Sequence, residues 1–177
     1  AGLDPARRRG ATVVGVGAGG VVDLDALDAA LSAAPVGAGA PAGLVSVMLA
    51  NNEVGVVQPL AAVVDRVRDR LPGWAVHTDA VQAAPWLDGA ARAAGTELLS
   101  VSAHMFGGPK GVGALVMRGA GADLAARTVG GGQERERRSG TPNVAGIVAM
   151  AEALRITVAE REATSARIAA LRDRLVA

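Results

Sequence analysis

Residues 44–53, with the sequence LVSVMLANNE, join a mostly apolar run to a polar tail. A continuous run of this kind, from Leu44 to Leu49, is typical of a strand that is buried inside a parallel sheet. The tail Asn51-Asn52-Glu53 then supplies polar side chains where the strand ends. The stretch therefore predicts a buried strand with chemically capable residues at its carboxyl end.

Two further apolar runs are also followed by polar side chains. The strand predicted from Trp74 to Thr78 continues into Asp79 and Gln82, and the strand predicted from Leu98 to Ser102 continues into His104. In parallel sheets, ligands bind outside the carboxyl ends of the strands. The sequence therefore predicts a ligand site at the edge where these three strands end.

Helical patterns alternate with the strands. This alternation of short apolar strands and helices predicts an α/β class, with a mainly parallel sheet covered by helices on both faces. Asp23 is a suitable helix cap, and Pro59 suits a first helical turn. The other predicted elements are strands at 12–14 and 112–117, helices at 24–33, 60–71 and 88–94, a linker at 37–43, and a mainly helical segment, in one or two pieces, that starts with Thr141 as its cap and Pro142 as its first residue.

Composition excludes several classes of protein. The 177 residues suggest one domain, or a domain with an appendage. The balance of 18 Lys+Arg against 17 Asp+Glu gives no electrostatic footprint for nucleic acid or an anionic membrane. No apolar run approaches the length of a membrane span, and the first ten residues lack the apolar segment of a secretory signal. The chain has no cysteine, which excludes a thiol nucleophile within it. Its first residue is not Met, so we expect a trimmed chain or a piece of a longer one.

His77, Asp79 and His104 form one candidate metal set. Residues 77 and 79 share a face of a strand, and with His104 they would supply two imidazoles and one carboxylate. The alternative is a structural histidine that is hydrogen-bonded to the backbone. Because the chain has only two histidines, we favour the alternative and predict no metal site.

The pattern Gly15-x-Gly17-x-x-Gly20 fits a dinucleotide-binding fingerprint, but its surroundings do not. The next helix starts only after Asp23, and no acidic residue follows at the required distance. We interpret it as a glycine-rich turn. Gly107-Gly108-Pro109-Lys110-Gly111 lacks the Gly-Lys-Ser/Thr order of a phosphate-binding loop, and we expect it to turn the backbone.

Arg135–Arg138, with the sequence RERR, precedes Ser139-Gly140-Thr141 at a predicted helix start. Such a charge run is usually a solvated turn. Together with a helix N-terminus it could instead bind an anion, and the sequence leaves both interpretations open.

Four blocks of sequence carry a family resemblance: SVMLANNEVGVVQPL, HTDAVQAAP, SVSAHMFGGPKGVGAL and GGGQERERRSGTPNVAGIVAMAEAL. They resemble the cysteine desulfurases, which belong to the class V aminotransferase group of pyridoxal-phosphate (PLP) enzymes. The resemblance implies a fold type I transferase, with residues 1–159 as the central part of its large domain. Residues 160–177 would form a helix that leads toward a C-terminal small domain missing from this chain. The implied reaction removes sulfur from L-cysteine to give L-alanine and an enzyme persulfide for iron–sulfur cluster or thio-cofactor assembly.

The resemblance also implies roles for individual residues. The implied partners are a sulfur-acceptor protein and a second copy of the chain in a cytoplasmic homodimer. The resemblance gives His77 no catalytic role. The implied cofactor contacts are Asp79 with the pyridine nitrogen, Gln82 with the ring hydroxyl, Asn52 near the ring oxygen and the substrate carboxylate, Ser102 and His104 with the phosphate or ring, and Thr141 with the phosphate of the neighbouring subunit.

Two departures from the family pattern bear on activity. Met105 occupies the position of the lysine that forms the Schiff base with PLP, and its thioether cannot do so. Lys110, five residues further on, is a poor substitute. The second departure is length, because the upstream part and the downstream small domain with its nucleophilic cysteine are absent from this chain. A smaller departure is Glu136, which stands where glycine is common. We therefore expect at best non-covalent PLP binding and no turnover by this chain alone.

A second hypothesis follows from the same departures. The chain would then be a non-catalytic, degenerate paralogue that acts as a dimerisation or partner-binding module. The sequence does not settle whether Met105 is natural or engineered, or whether the chain is a fragment or stands alone.

Overall fold

The structure, a computed structural model, describes residues 10–36, 43–119 and 124–177. The predicted linker at 37–43 lies outside the described residues except for Gly43. The elements, in chain order, are α1 (Leu24–Ser32), β1 (Leu44–Met48), α2 (Leu60–Arg70), β2 (Ala75–Asp79), α3 (Gly89–Arg92), β3 (Leu98–Ser102), a 3-10 turn (Ala103–Phe106), β4 (Gly113–Met117), a second 3-10 turn (Glu134–Glu136) and α4 (Val144–Val176).

The four strands form one sheet in the order β1-β2-β3-β4. The first three strands are parallel, and β4 is antiparallel to β3. In the register of the sheet, Asp79 lies between Met48 on β1 and Ser100 on β3. The predicted α/β class with a mainly parallel sheet is confirmed, and the register brings the ends of the three parallel strands to one edge.

One face of the sheet carries a hydrophobic core that we call the main cluster. Helices α1 and α2 pack on this face because their apolar side chains recur at helical spacing. Val63 and Val67 are fully buried, which confirms the stripe predicted for α2. The buried members are Leu27, Leu31, Leu49, Leu60, Val63, Val64, Val67, Leu71, Val76, Ala80, Ala83, Ala93 and Leu99.

The opposite face of the sheet is more open. Leu44 on β1 is 51% exposed and Leu115 on β4 is 46% exposed. Among the described residues, the predicted covering by helices is therefore more extensive on the main-cluster face, although Val116 of β4 on that face is still 41% exposed. The open face carries the side chains of His77 and Asp79, because residues two apart in a strand point the same way.

A smaller core, which we call the edge cluster, lies beside the end of β3. Its buried members are Ala84, Ala103, Phe106 and Met150. Met150 belongs to α4, so this cluster fastens α4 to the 3-10 turn that follows β3. The Thr157 hydroxyl adds a hydrogen bond of 3.2 Å to the carbonyl of Phe106.

Helix α4 differs from the prediction at its start. It is one helix of 33 residues, and its first residue is Val144. The prediction that Thr141 caps it and Pro142 opens it is wrong, because Asn143 is the cap: its Oδ1 accepts from the N–H of Gly146 at 3.1 Å. The proposed domain boundary between residues 159 and 160 falls inside α4 and stays a prediction.

Other local expectations have mixed outcomes. The Asp23 cap is confirmed, with its Oδ1 accepting from the N–H groups of Asp25 and Ala26. The helix predicted at 88–94 shortens to α3, capped by Asp88. The strand predicted at 12–14 is wrong, since only an isolated bridge between Val16 and Val22 forms there.

That bridge closes the glycine-rich turn. The N–H of Gly17 donates to the carbonyl of Val21 at 2.9 Å, and the N–H of Gly20 donates to the carbonyl of Gly17 at 2.9 Å. Gly20 has φ +75°, a conformation that glycine adopts without steric cost. The interpretation as a turn is confirmed. In the described part of the chain, no helix combines the length and apolar character that a membrane crossing requires.

Candidate functional site

The candidate site lies at the edge where β1, β2 and β3 end. Strand β2 ends at Asp79, the turn after it carries Gln82, and β3 ends at Ser102. His104 and Met105 follow in the 3-10 turn. Since the three strands are neighbours and parallel, their ends bring these polar groups to one edge, as the sequence predicts.

Asp79 is held by its own backbone turn. Its Oδ1 accepts from the N–H of Val81 at 2.9 Å, an arrangement typical of aspartate in turns. The residue is half-buried, and among the described residues its Oδ2 has no hydrogen-bond partner. One carboxylate oxygen is thus fixed while the other remains available to a ligand.

Gln82 and Met105 are brought together by the turns after β2 and β3. The Gln82 Nε2 donates to the Met105 Sδ at 3.6 Å, and both side chains are half-buried. A thioether is a weak acceptor, so a better acceptor on a ligand would displace it. The contact places Met105, which the resemblance assigns to the lysine position, beside the side chain that the resemblance assigns to the ring hydroxyl.

Ser102 and His104 form a second pair. Ser102 Oγ lies 2.8 Å from His104 Nδ1. Ser102 ends β3 and His104 is exposed in the following turn. This pair presents a hydroxyl and an imidazole at the same edge, which are groups able to bind a phosphate.

Asn52 and Thr141 are less closely associated with these groups. Both are exposed. Asn52 lies in the turn after β1, which its neighbour Asn51 holds by accepting from the N–H groups of Glu53 and Val54. Thr141 precedes α4, and no hydrogen bond connects it to the other candidates among the described residues.

His77 lies on the same strand face as Asp79 and bonds to two hydroxyls. Its Nδ1 is 2.8 Å from Ser46 Oγ and its Nε2 is 3.2 Å from Ser100 Oγ. Burial lowers the pKa of His77, and the nearby carboxylate of Asp79 opposes this with a smaller effect. Sequence reasoning missed Ser46 and Ser100, although serines inside apolar strands were the available signal.

These hydrogen bonds bear on the alternative of a metal set. Both ring nitrogens of His77 already have hydroxyl partners, and His104 Nδ1 is paired with Ser102. No group of three candidate ligands comes together within the described ranges. The arrangement favours the structural interpretation of His77, although its partners are side-chain hydroxyls rather than the predicted backbone groups.

The loop before α4 holds three consecutive residues in the left-handed conformation. Glu134, Arg135 and Glu136 have φ of +52°, +57° and +64°, which costs a residue with a side chain about 1–2 kcal/mol. Glu136 is the position at which the resemblance implies glycine. The residues of the RERR run are exposed, as in a solvated turn, and the anion-binding interpretation stays a prediction.

A groove of about 480 Å³ lies at the other end of the sheet. Its lining includes Arg68, Trp74 and Glu97, and Arg68 pairs with Glu97 at 3.4 Å. Glu97 also accepts from the N–H of Val76 at 2.7 Å. These charged groups satisfy one another and the backbone, so the groove is explained by structure and is remote from the candidate site.

Comparisons with known proteins agree with this geometry. The aminotransferase class-V family model matches residues 4–177. The IscS-like cysteine desulfurase of Mycobacterium tuberculosis is 49% identical over 135 residues, which are 75% of this chain and 33% of that relative. The cysteine desulfurase IscS of Neisseria meningitidis serogroup A is 44% identical over 163 residues, 92% of this chain and 38% of that relative.

Solved structures give the same result. A NifS-like protein superposes with a TM-score of 0.85 at 37% identity, covering 98% of this chain and 46% of that protein. DndA from Streptomyces lividans superposes with a TM-score of 0.79 at 31% identity, covering 98% of this chain and 48% of that protein. The chain thus spans between a third and a half of the length of these relatives. It belongs to the aminotransferase class V family, and the proteins similar to it include cysteine desulfurases.

Proposed function

We propose that this chain is the cofactor-contacting part of a cysteine desulfurase and binds PLP without a covalent bond. The observation that supports this most directly is the grouping of Asp79, Gln82, Ser102 and His104 at one edge of the sheet. When bound, PLP supplies an electron sink for bond cleavage at the Cα of an amino acid. The substrate of the complete protein would be L-cysteine.

Asp79 would pair with the protonated pyridine nitrogen. Its Oδ1 is anchored by the N–H of Val81, so the carboxylate is oriented before a ligand arrives. A fixed negative charge in a half-buried position favours a cation more than a mobile, fully hydrated one would. This residue therefore carries the electrostatic part of the proposal.

The remaining side chains would orient the ring. The Gln82 amide would exchange its weak thioether acceptor on Met105 for the ring hydroxyl. The hydroxyl of Ser102 and the imidazole of His104 would bind the phosphate, with Asn52 near the substrate carboxylate. Thr141, exposed before α4, would reach the phosphate held by a second copy of the chain, which makes a cytoplasmic homodimer part of the proposal.

Met105 is the reason to propose binding without turnover. A methionine at the lysine position can neither attach the cofactor nor move a proton at the substrate Cα. Lys110 is the single lysine of the chain, and it is exposed in the turn before β4. The chain also lacks a cysteine to carry the sulfur, so transfer to a sulfur-acceptor protein would need a cysteine that this chain does not supply.

The cofactor assignment is tested by titrating the chain with PLP and following absorbance and fluorescence. We expect saturable binding that Asp79→Asn weakens by about tenfold or more, because the carboxylate charge is lost. Asp69→Asn, on the exposed side of α2, is the matched control and should bind as the parent does. Unchanged binding by D79N would contradict the proposal.

The covalent step is tested by borohydride reduction followed by peptide mass mapping. We expect no pyridoxyl group on Lys110 in the parent chain. In the Met105→Lys, Lys110→Arg double variant we expect the group on residue 105 together with a new near-UV absorbance. A double variant that stays colourless and unlabelled with excess PLP would make the cofactor assignment wrong.

A second candidate function is favoured by the contact between Gln82 and Met105. In that contact the two side chains bond to each other rather than to a ligand, as a degenerate, non-catalytic module would allow. Such a module would act in dimerisation or partner binding and would form a stable dimer that ignores PLP. Light scattering combined with the PLP titration separates the two candidates, since only the first predicts saturable binding.

A further inference from the structure

Three hydrogen-bonded side chains cross the open face of the sheet. Ser46 on β1, His77 on β2 and Ser100 on β3 form a row in which each ring nitrogen has one hydroxyl partner, at 2.8 and 3.2 Å. We call this row the serine–histidine seam. Because a hydroxyl can either donate or accept, one serine can donate to the unprotonated ring nitrogen while the other serine accepts from the protonated one. The neutral imidazole is therefore fully satisfied by the seam.

The seam lies beside Asp79. Residues 77 and 79 point to the same face, and Ser100 is the register partner of Asp79. Ser100 thus connects the imidazole to the row of the sheet that contains the carboxylate. Ser46 and His77 share the row before that of Asp79, and Ser100 lies beside Asp79, the group that would face the cofactor.

The charge pattern of this face is simple. On the open face of the four described strands, Asp79 is the only acidic side chain, and the neighbouring positions on β1, β3 and β4 are uncharged. Burial lowers the pKa of His77 more than Asp79 raises it. The direction of this shift favours the neutral imidazole, and among the described residues its ring nitrogens contact hydroxyls rather than a carboxylate.

We propose that His77 is a positioning residue: kept neutral by burial, with Ser46 and Ser100 as the uncharged partners that orient its ring, it leaves the charge of Asp79 unshared for a cationic heteroaromatic ring. This rests on the proposed function. A protonated residue at position 77 would lie roughly 7 Å along the strand from Asp79 and would compete with the ring for the same carboxylate. A neutral imidazole at position 77 avoids that competition and keeps its packing on the sheet.

The first test uses the ligand-free chain. Imidazole nitrogen NMR reports the protonation and tautomer of each histidine, and the chain has only two, so His104→Gln identifies the signals. We expect His77 to be neutral at pH 7, with one ring nitrogen protonated and a midpoint of titration below that of the unfolded chain. A titration midpoint of His77 at or above that of the unfolded chain would overturn the inference.

The second test measures the Kd of PLP for two substitutions. His77→Gln keeps a neutral side chain that can bond to serine, and it should bind PLP much as the parent does. His77→Arg introduces a permanent cation and should raise the Kd roughly tenfold or more. Equal Kd values for the two variants would overturn the inference.

The two measurements also separate this inference from the proposed function. A parent chain that binds no PLP would refute the proposed function. The NMR result would still decide whether His77 is neutral in the folded chain. If H77R fails to fold, the same NMR measurement and the Kd of H77Q remain decisive, because a large loss of affinity in H77Q would assign a role to the imidazole itself rather than to its lack of charge.

Discussion

The main cluster and the edge cluster are both apolar, yet they hold different parts of the molecule. The main cluster joins α1, α2 and the sheet through thirteen buried residues. The edge cluster has four, and it joins α4 to the turn that carries His104 and Met105. Because hydrophobic stabilisation grows with the apolar area removed from water, the main cluster carries most of the stability. The edge cluster carries the local geometry of the candidate site.

The largest expected effect is in the main cluster. Leu49 is 1% exposed, so Leu49→Ala should remove about 2–5 kcal/mol from the free energy of unfolding through lost transfer energy and a residual cavity. Leu115→Ala on the open face is the matched control. With 46% of Leu115 exposed, the loss should be well under half as large. Urea unfolding of both variants measures this, and equal losses would contradict the division into a covered and an open face.

The edge cluster is tested at the start of α4. A Cβ on Gly146 would lie 2.5 Å from Val112 Cγ2 and 2.6 Å from the Asn143 amide. Gly146→Ala should therefore destabilise by about 1–3 kcal/mol through overpacking, although alanine favours helices. Gly89→Ala in α3 has open space at that position and should stabilise by about 0.5–1 kcal/mol.

Amide hydrogen exchange shows which part of the chain G146A and G89A affect. G146A should increase exchange in the first turns of α4 more than in α2, because the clash is local to the edge cluster. Uniform acceleration throughout the chain, or a stabilised G146A, would show that the edge cluster does not hold this helix.

The sequence predicted the main cluster better than the edge cluster, because the pattern that reveals the main cluster is formed by residues close together in the sequence. The stripe from Leu60 to Val67 repeats at helical spacing, so local periodicity reveals the buried face of α2. The start of α4 depends on which of several cap-forming side chains reaches a free N–H. Thr141 and Asn143 are both suitable, and only the bond to Gly146 distinguishes Asn143.

The candidate site divides in the same way. Asp79, Gln82, Ser102 and His104 follow apolar runs, and the topology of parallel sheets brings such strand ends together. The partners of His77 could not be predicted from the sequence, because Ser46 and Ser100 lie 31 and 23 residues away and meet it only through the strand register. The antiparallel direction of β4 likewise depends on the turn that connects it to β3.

A third position tests backbone strain outside both clusters. Glu136 has φ +64°, where glycine is free of the steric cost that other residues meet. Glu136→Gly should stabilise by about 0.5–1 kcal/mol, the difference between that cost and the extra entropy of glycine in the unfolded chain. Arg137→Gly, one residue later at φ −90°, is the control and should be neutral or destabilising. A destabilised E136G would mean that the Glu136 side chain makes a contribution larger than the strain.

The smallest expected effect concerns pH and the open face. The pKa of His77 is lowered from 6.5, chiefly by burial, so the folded chain binds fewer protons there than the unfolded chain. Stability should therefore be at its full value above about pH 6.5 and should decline as the pH falls from 6.5 through the folded pKa.

His77→Gln removes this contribution, so the difference in unfolding free energy between pH 7.5 and pH 5 should be smaller in the variant than in the parent. An identical pH dependence in H77Q and the parent would show that burial does not lower the pKa of His77 in the folded chain.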